Sequence, residues 1–149
     1  MTEKRQREKF IDSFNYITQD NSIELFCEVP VFCRSVDLVI FNKCDNSITA
    51  VEFKIKNWKR AIEQALSVSI SFDFLAICLV KPQTEKSIKT IIDKCEQLGI
   101  GLYYTSNTEN EFKVTHPVVA KPISKTWITQ KQSLINYLER CGSFAWEEY

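Results

Sequence analysis

Two opposite charges two residues apart, Glu52 and Lys54, sit inside the otherwise strand-like run Ala50-Val51-Glu52-Phe53-Lys54-Ile55-Lys56. Strand period places both side chains on one face. Asp37 lies upstream on a second apolar run, Val36-Asp37-Leu38-Val39-Ile40-Phe41, and the link between the runs, Lys43-Cys44-Asp45-Asn46-Ser47, contains good turn formers. A hairpin folded about Cys44 to Asn46 sets Asp37 opposite Glu52 to Lys54. Two carboxylates and an ammonium then share one patch of sheet. Carboxylate oxygens suit a hard divalent cation, and an ammonium beside them can orient water and stabilise charge growing on a phosphorane. The chemistry this kit serves is metal-assisted hydrolysis of a phosphodiester.

Other residues extend the patch. The run from Ser22 to Val31 alternates, with Ile23, Leu25, Cys27, Val29 and Val31 on one face and Glu24, Phe26, Glu28 and Pro30 on the other, as in a half-buried strand. A turn centred near Cys33 brings Glu28 close to Asp37, where it reads equally as a third carboxylate or as a solvated residue of an open sheet face. Lys54, Lys56, Lys59 and Arg60 concentrate four positive charges in seven residues, a local phosphate-steering patch or, more plainly, a salt-laced surface. Trp58 lies among them.

Val36-Asp37, then Glu52-Phe53-Lys54, then a helix bearing Gln64 resembles the signature of the PD-(D/E)XK nuclease superfamily, over roughly residues 22 to 82. The sequence has Val36 where the family name puts proline, and Val68 where a tyrosine follows the glutamine by four residues. The resemblance implies a restriction-endonuclease-like, Holliday-junction-resolvase-like core: a central mixed sheet of antiparallel hairpins followed by a parallel crossover, flanked by helices. It implies Asp37, Glu52, Lys54 and Gln64 as catalytic residues, with Asp37, Glu52 and Glu28 toward magnesium or manganese and Gln64 toward water or phosphate. Lys56, Lys59 and Arg60 would then meet the nucleic-acid backbone. Substrate and partner are nucleic acid, DNA by family habit, cut selectively by structure or directed by another protein; relatives of this size often act as dimers. The rival from another class is a nuclease-like binding or assembly module without hydrolysis, against which stands the presence of all three of Asp37, Glu52 and Lys54. A plain structural α/β protein is the third reading.

With 149 residues the chain can bury one substantial core and is short for two domains, so residues 1–149 read as one domain, a core over about 1–120 with a helical extension over about 121–149. Hydrophobic residues at 44% and charged residues at 26% are ordinary for a globular protein, and three glycines with four prolines leave little room for disordered linkers. Formal net charge is zero, so attraction to nucleic acid must come from a local patch. The longest apolar run, Phe74 to Val80, falls short of the roughly 20 residues of a membrane span, and no signal peptide opens the chain. The expectation is a cytoplasmic protein with no membrane partner. Cys27, Cys33, Cys44, Cys78, Cys95 and Cys141 form no CxxC pair and read as free thiols.

The elements that must position these groups follow from periodicity. Residues 2–18 predict a helix capped by Thr2, with Phe10, Phe14 and Ile17 inward and Lys4, Arg5, Arg7 and Lys9 making the exposed side basic. Glu8, the first-helix acid in reach of a metal in some relatives, projects nearly opposite Phe10 and is set aside. Ile48 to Lys56 predicts a strand with Val51, Phe53 and Ile55 inward; Trp58 to Phe72 predicts a helix whose polar face carries Arg60, Gln64, Ser67 and Ser71. Phe74 to Val80 suits a central strand, parallel to the one before it. A helix over Thr84 to Leu98 ends at Gly99, a short strand runs from Ile100 to Thr105, and Glu111 to Ala120 is a further strand or extended edge. His116, alone before Pro117, reads as a turn residue. Thr129 with Gln132 gives a capping-box signal for a last helix through Cys141 with Ile128, Leu134, Ile135 and Leu138 inward, and Phe144, Trp146 and Tyr149 pack back on the core or supply a dimer contact.

Overall fold

The Thr2 hydroxyl accepts the N–H of Arg5 at 3.1 Å and opens helix α1 (Glu3–Thr18). In this computed structural model residues 1–18, 21–108 and 110–141 are described, without the side chains of 15–18; Ile17's side chain and Phe144, Trp146 and Tyr149 lie outside the described residues. Three strands follow in two hairpins: β1 (Ile23–Val31), β2 (Arg34–Asn42) and β3 (Ser47–Lys54). Asn42 and Asp45 side chains accept the N–H groups of Cys44 and Ser47, each at 3.0 Å, which fixes the second turn and with it the register Leu38↔Val51. Then come α2 (Trp58–Ser67), β4 (Phe74–Val80), α3 (Glu85–Leu98), β5 (Gly101–Thr105), β6 (Val114–Val118) and α4 (Ile128–Cys141).

The six strands form one mixed sheet in chain order, antiparallel from β1 to β3, parallel from β3 to β5, with β6 antiparallel at the far edge. Pro30 and Pro117 fall on the two edge strands, where a missing N–H breaks no ladder. Successive crossovers of one hand put α2 and α3 on the same face. There Ala61, Ala65, Ile91 and Cys95 pack with Ile48, Ala50, Ile77 and Leu102, joined by Leu134, Ile135 and Leu138 of α4. Helix α1 covers the other face, where Phe10 and Ile11 meet Leu25, Leu38, Val51, Phe53 and Cys78. Phe10 lies edge-on to Phe53 at 5.3 Å and to Tyr103 at 5.0 Å. Truncating Phe10 to alanine is expected to cost about 3–5 kcal/mol of unfolding free energy, measured by denaturant titration.

Several sequence expectations are corrected. In β1, Val29 and Val31 do not share a face with Leu25 and Cys27; they join Phe26 in the core under α2. The cause is Glu28, whose φ of 51° lies in the left-handed region and turns the strand over. The facing strand turns with it, since Val36 and Val39 also share one core while Leu38 enters the other. Both faces of β3 are covered, so Ile48, Ala50 and Glu52 are as buried as Val51 and Phe53, and the strand ends at Lys54 rather than Lys56. Helix α2 stops at Ser67, and residues 69–71 form one 3-10 turn. Ser67 donates its hydroxyl to the Gln64 carbonyl at 2.6 Å, the local competition that makes serine a poor helix continuer.

At the far side, α3 ends as expected, with Gly99 at φ 72° and its N–H returned to the last turn. Helix α4 starts before Thr129, so Thr129 is inside the first turn and no capping box forms; Ile128, expected inward, is 83% exposed. His116 sits in strand β6, not a turn, with its ring stacked on Tyr103 at 4.0 Å. All six cysteines are free thiols. Among the described residues no helix is long and apolar enough to cross a membrane.

Candidate active site

The β2–β3 ladder runs to Leu38↔Val51, which brings Asp37 to the stretch of β3 that carries Glu52 and Phe53. Asp37 Oδ2 accepts the N–H of Phe53 at 2.8 Å, which pins its carboxyl against the backbone of β3. Glu52 points into the α2 side of the sheet and is only 3% exposed. Its pKa is pushed up to about 8, first by burial and then by the Asp37 carboxylate beside it; Arg34 and Lys54 pull the other way. Glu52 therefore holds a proton far more readily than an ordinary glutamate. Two acidic groups are forced together with too little positive charge beside them.

Lys54, at the end of β3, holds its Nζ 3.6 Å from Glu3 Oε1. Glu3 belongs to the first turn of α1, which hangs over this corner of the sheet and closes a cavity of about 210 Å³ lined by Glu3, Lys4, Arg7, Glu28, Asp37 and Phe53. Buried Gln6 ties the helix down: its amide reaches the Thr105 hydroxyl at 3.2 Å and the carbonyls of Lys54 and Cys78 at 3.4 and 3.5 Å. The same left-handed turn at Glu28 that reverses β1 leaves Glu28 and Asp37 out of both cores and facing this cavity. A non-glycine residue held at positive φ costs on the order of 1–3 kcal/mol, and such strain concentrates at functional sites.

Asp37 and Lys54 both lie close enough to Glu52 to act on its charge, the Lys54 ammonium itself meeting Glu3 of α1, and Glu28 joins the cavity wall. Its carboxylate is 70% exposed and faces Arg7 Nη1 at 3.5 Å rather than Asp37. Gln64 lies on α2 with its Oε1 buried and without a hydrogen-bond partner. Arg34 donates to Ser67 Oγ at 2.8 Å, and Ser67 in turn to the Gln64 carbonyl, so Arg34 stands between the Gln64 turn of α2 and Glu52. Lys56, Lys59 and Arg60 are exposed just past the end of β3. Arg60 pairs with Glu63 at 3.3 Å, and Lys59 Nζ lies 5.6 Å from the Trp58 ring centre.

Glu3, Gln6, Arg7 and Arg34 were not anticipated as site residues. Arg7, expected on the exposed basic side of the first helix, is 9% exposed, and its Nε has no hydrogen-bond partner. A signal existed: the stripe through Phe10 and Phe14, continued toward the N-terminus at helical spacing, passes through Gln6, Arg7 and Glu3. Glu8 lies off that stripe and pairs with Arg5 at 3.1 Å.

Hard oxygen donors forced together and short of positive charge fit a divalent cation. Among the described residues no group of three or more His, Cys, Asp and Glu side chains forms a ready cage. Magnesium asks for less, since it is commonly held by one or two carboxylates together with water and substrate phosphate.

No family model matches this chain, and no curated protein matches it. Among solved structures, a protein of unknown function from Silicibacter pomeroyi is similar in fold, with a TM-score of 0.59 and 12% identity over 85% of this chain and 79% of that chain.

Proposed function

We propose that this chain is a divalent-metal-dependent nuclease of the PD-(D/E)XK kind, hydrolysing phosphodiester bonds of nucleic acid, with DNA as the substrate the resemblance implies. The observation that carries the reading is the buried Glu52 carboxyl set against that of Asp37, which the Phe53 N–H pins in place, with Lys54 two residues along the same strand. Antiparallel hairpins followed by a parallel crossover are the order that the resemblance implies, and the sheet is compatible with it. A magnesium or manganese ion on Asp37 and Glu52 would supply Lewis-acid charge to the phosphoryl oxygens.

The protein's own groups do the rest. The Phe53 N–H holds one oxygen of Asp37 and so fixes the carboxyl beside Glu52, with which it would share the cation. Glu52 would bind a cation as the carboxylate, its proton passing to solvent. Lys54, steadied by Glu3, directs its ammonium at the attacking water and at charge developing on the phosphate. Arg7, buried in the cavity wall with an unpaired Nε, can bind a phosphate oxygen once the exposed Glu28 swings aside. This makes Glu28 a displaceable counter-ion of Arg7 more readily than a metal ligand. The orphaned Gln64 Oε1 is available to a water.

Incubation with linear, branched and single-stranded nucleic acids tests the reading directly. Cleavage is expected with magnesium or manganese and none with chelator. No cleavage of any substrate with either metal, alongside equal binding in chelator, replaces the enzyme by a binding module. The exposed cations give a separate expectation: alanine at Lys56, Lys59 and Arg60 together should lower the slope of log affinity against log salt on duplex DNA by about 2 to 3, at roughly 0.9 for each phosphate no longer neutralised. An unchanged slope places the nucleic-acid surface elsewhere.

A further inference from the structure

A second cavity, of about 610 Å³, opens at the carboxyl ends of β3 and β4, beside the candidate active site and outside it. Its floor is apolar, built from Trp58, Leu79, Pro82 and Ile91, and its rim carries Lys56 and Lys81. Among the described residues that line it there is no aspartate or glutamate, whereas the smaller cavity over Asp37 is walled by three carboxylates. The larger cavity meets the site at the end of β3, where Ile55 and Lys56 of its lining follow Lys54 directly in the chain. Crevices outside the carboxyl ends of parallel strands are the usual ligand sites of α/β sheets, and this volume is that of a small-molecule pocket.

We propose that this groove takes an unpaired nucleotide of the substrate strand, next to the phosphate cut at Asp37 and Glu52; the proposal rests on the nuclease reading. The base would lie on the apolar floor beside Trp58, its edge within reach of Gln83 and Asn107, and the flanking phosphates would meet Lys56 and Lys81. An apolar floor with a cationic, carboxylate-free rim matches a base joined to phosphate, the pattern of single-strand binding grooves. A paired base cannot enter, since its faces are stacked and its edge is occupied. The groove therefore selects a tail, gap or frayed end over a blunt duplex.

The test is fluorescence anisotropy of the full chain in chelator, comparing a blunt duplex with the same duplex carrying a short single-stranded tail. Wild type should bind the tailed form about tenfold more tightly, the usual size of one stacked base. Lys81→Glu, a surface change, and Trp58→Phe, which keeps an aromatic floor for folding, should erase and reduce that preference respectively while leaving blunt-duplex affinity within about twofold. Equal binding of the two duplexes by wild type, or an undiminished preference in Lys81→Glu, overturns the proposal. So does a free mononucleotide that competes as well as the tail, since it makes the groove a small-molecule site. Cleavage is scored separately with magnesium: tail preference without cleavage keeps the groove and sinks the nuclease, and cleavage without tail preference does the reverse.

Discussion

Glu52→Gln is expected to abolish metal-dependent cleavage and, in chelator, to make the protein more stable at alkaline pH. Loss of cleavage follows from removing one of two carboxylates that would hold the cation. The gain in stability follows from linkage. Glu52 has a folded pKa of about 8 against an ordinary 4.5, so the folded chain binds the extra proton between those values. Stability contributed by protonated Glu52 is fully present below pH 4.5 and is lost as pH rises through 8. Glutamine keeps the neutral donor at every pH. The variant and wild type should therefore melt together near pH 5 and diverge by several degrees near pH 9, a few kcal/mol at about 1.4 kcal/mol per pKa unit. Magnesium added to wild type should close the gap by binding the native state alone. If the two proteins melt together at both pH values, the carboxyl pair is not under the strain described. Cleavage retained in Glu52→Gln removes it from the active site.

Lys54→Ala is expected to lower the single-turnover cleavage rate by about two to three orders of magnitude while nucleic-acid affinity stays within a few fold. That is the usual loss when one electrostatic stabiliser of the transition state is removed. Lys54 is half-buried against Glu3 at the end of β3, so its stem packs where a substrate backbone would not. Lys54→Met, which keeps the stem and drops the charge, should match the alanine variant in rate and wild type in melting temperature. An affinity that falls as far as the rate would make Lys54 a phosphate-binding residue and leave the chemistry to other groups.

That the hairpin brings Asp37 to Glu52 was legible in the sequence because hairpin register is local. Asn42, Asp45 and Ser47 set the turn, and pleat period carries that register outward to position 37. The Gly99 stop of α3 was legible for the same reason, and the parallel crossover from β3 to β4 was legible from the strand, helix, strand order that its twenty-five-residue separation, Thr49↔Phe74, requires. By itself, then, the sequence determined the order of the elements and the composition of the charged cluster.

Tertiary structure decided what surrounds that cluster. Arg7 reads from sequence as a solvated cation, and it is buried because Phe10 of α1 docks on Phe53 and Tyr103, residues more than forty positions away, and draws the preceding turn over the sheet. Gln6 and Glu3 come with it. The reversal of β1 at Glu28 was hidden as well, since nothing in a glutamate announces a positive φ; facing cores on both sides of the sheet select it by giving Leu25 to one and Val29 to the other. Alternation in one strand records which residues are apolar. Which face each one meets, and so which carboxylate is left turned toward the cavity, depends on packing energy shared among elements distant in the chain.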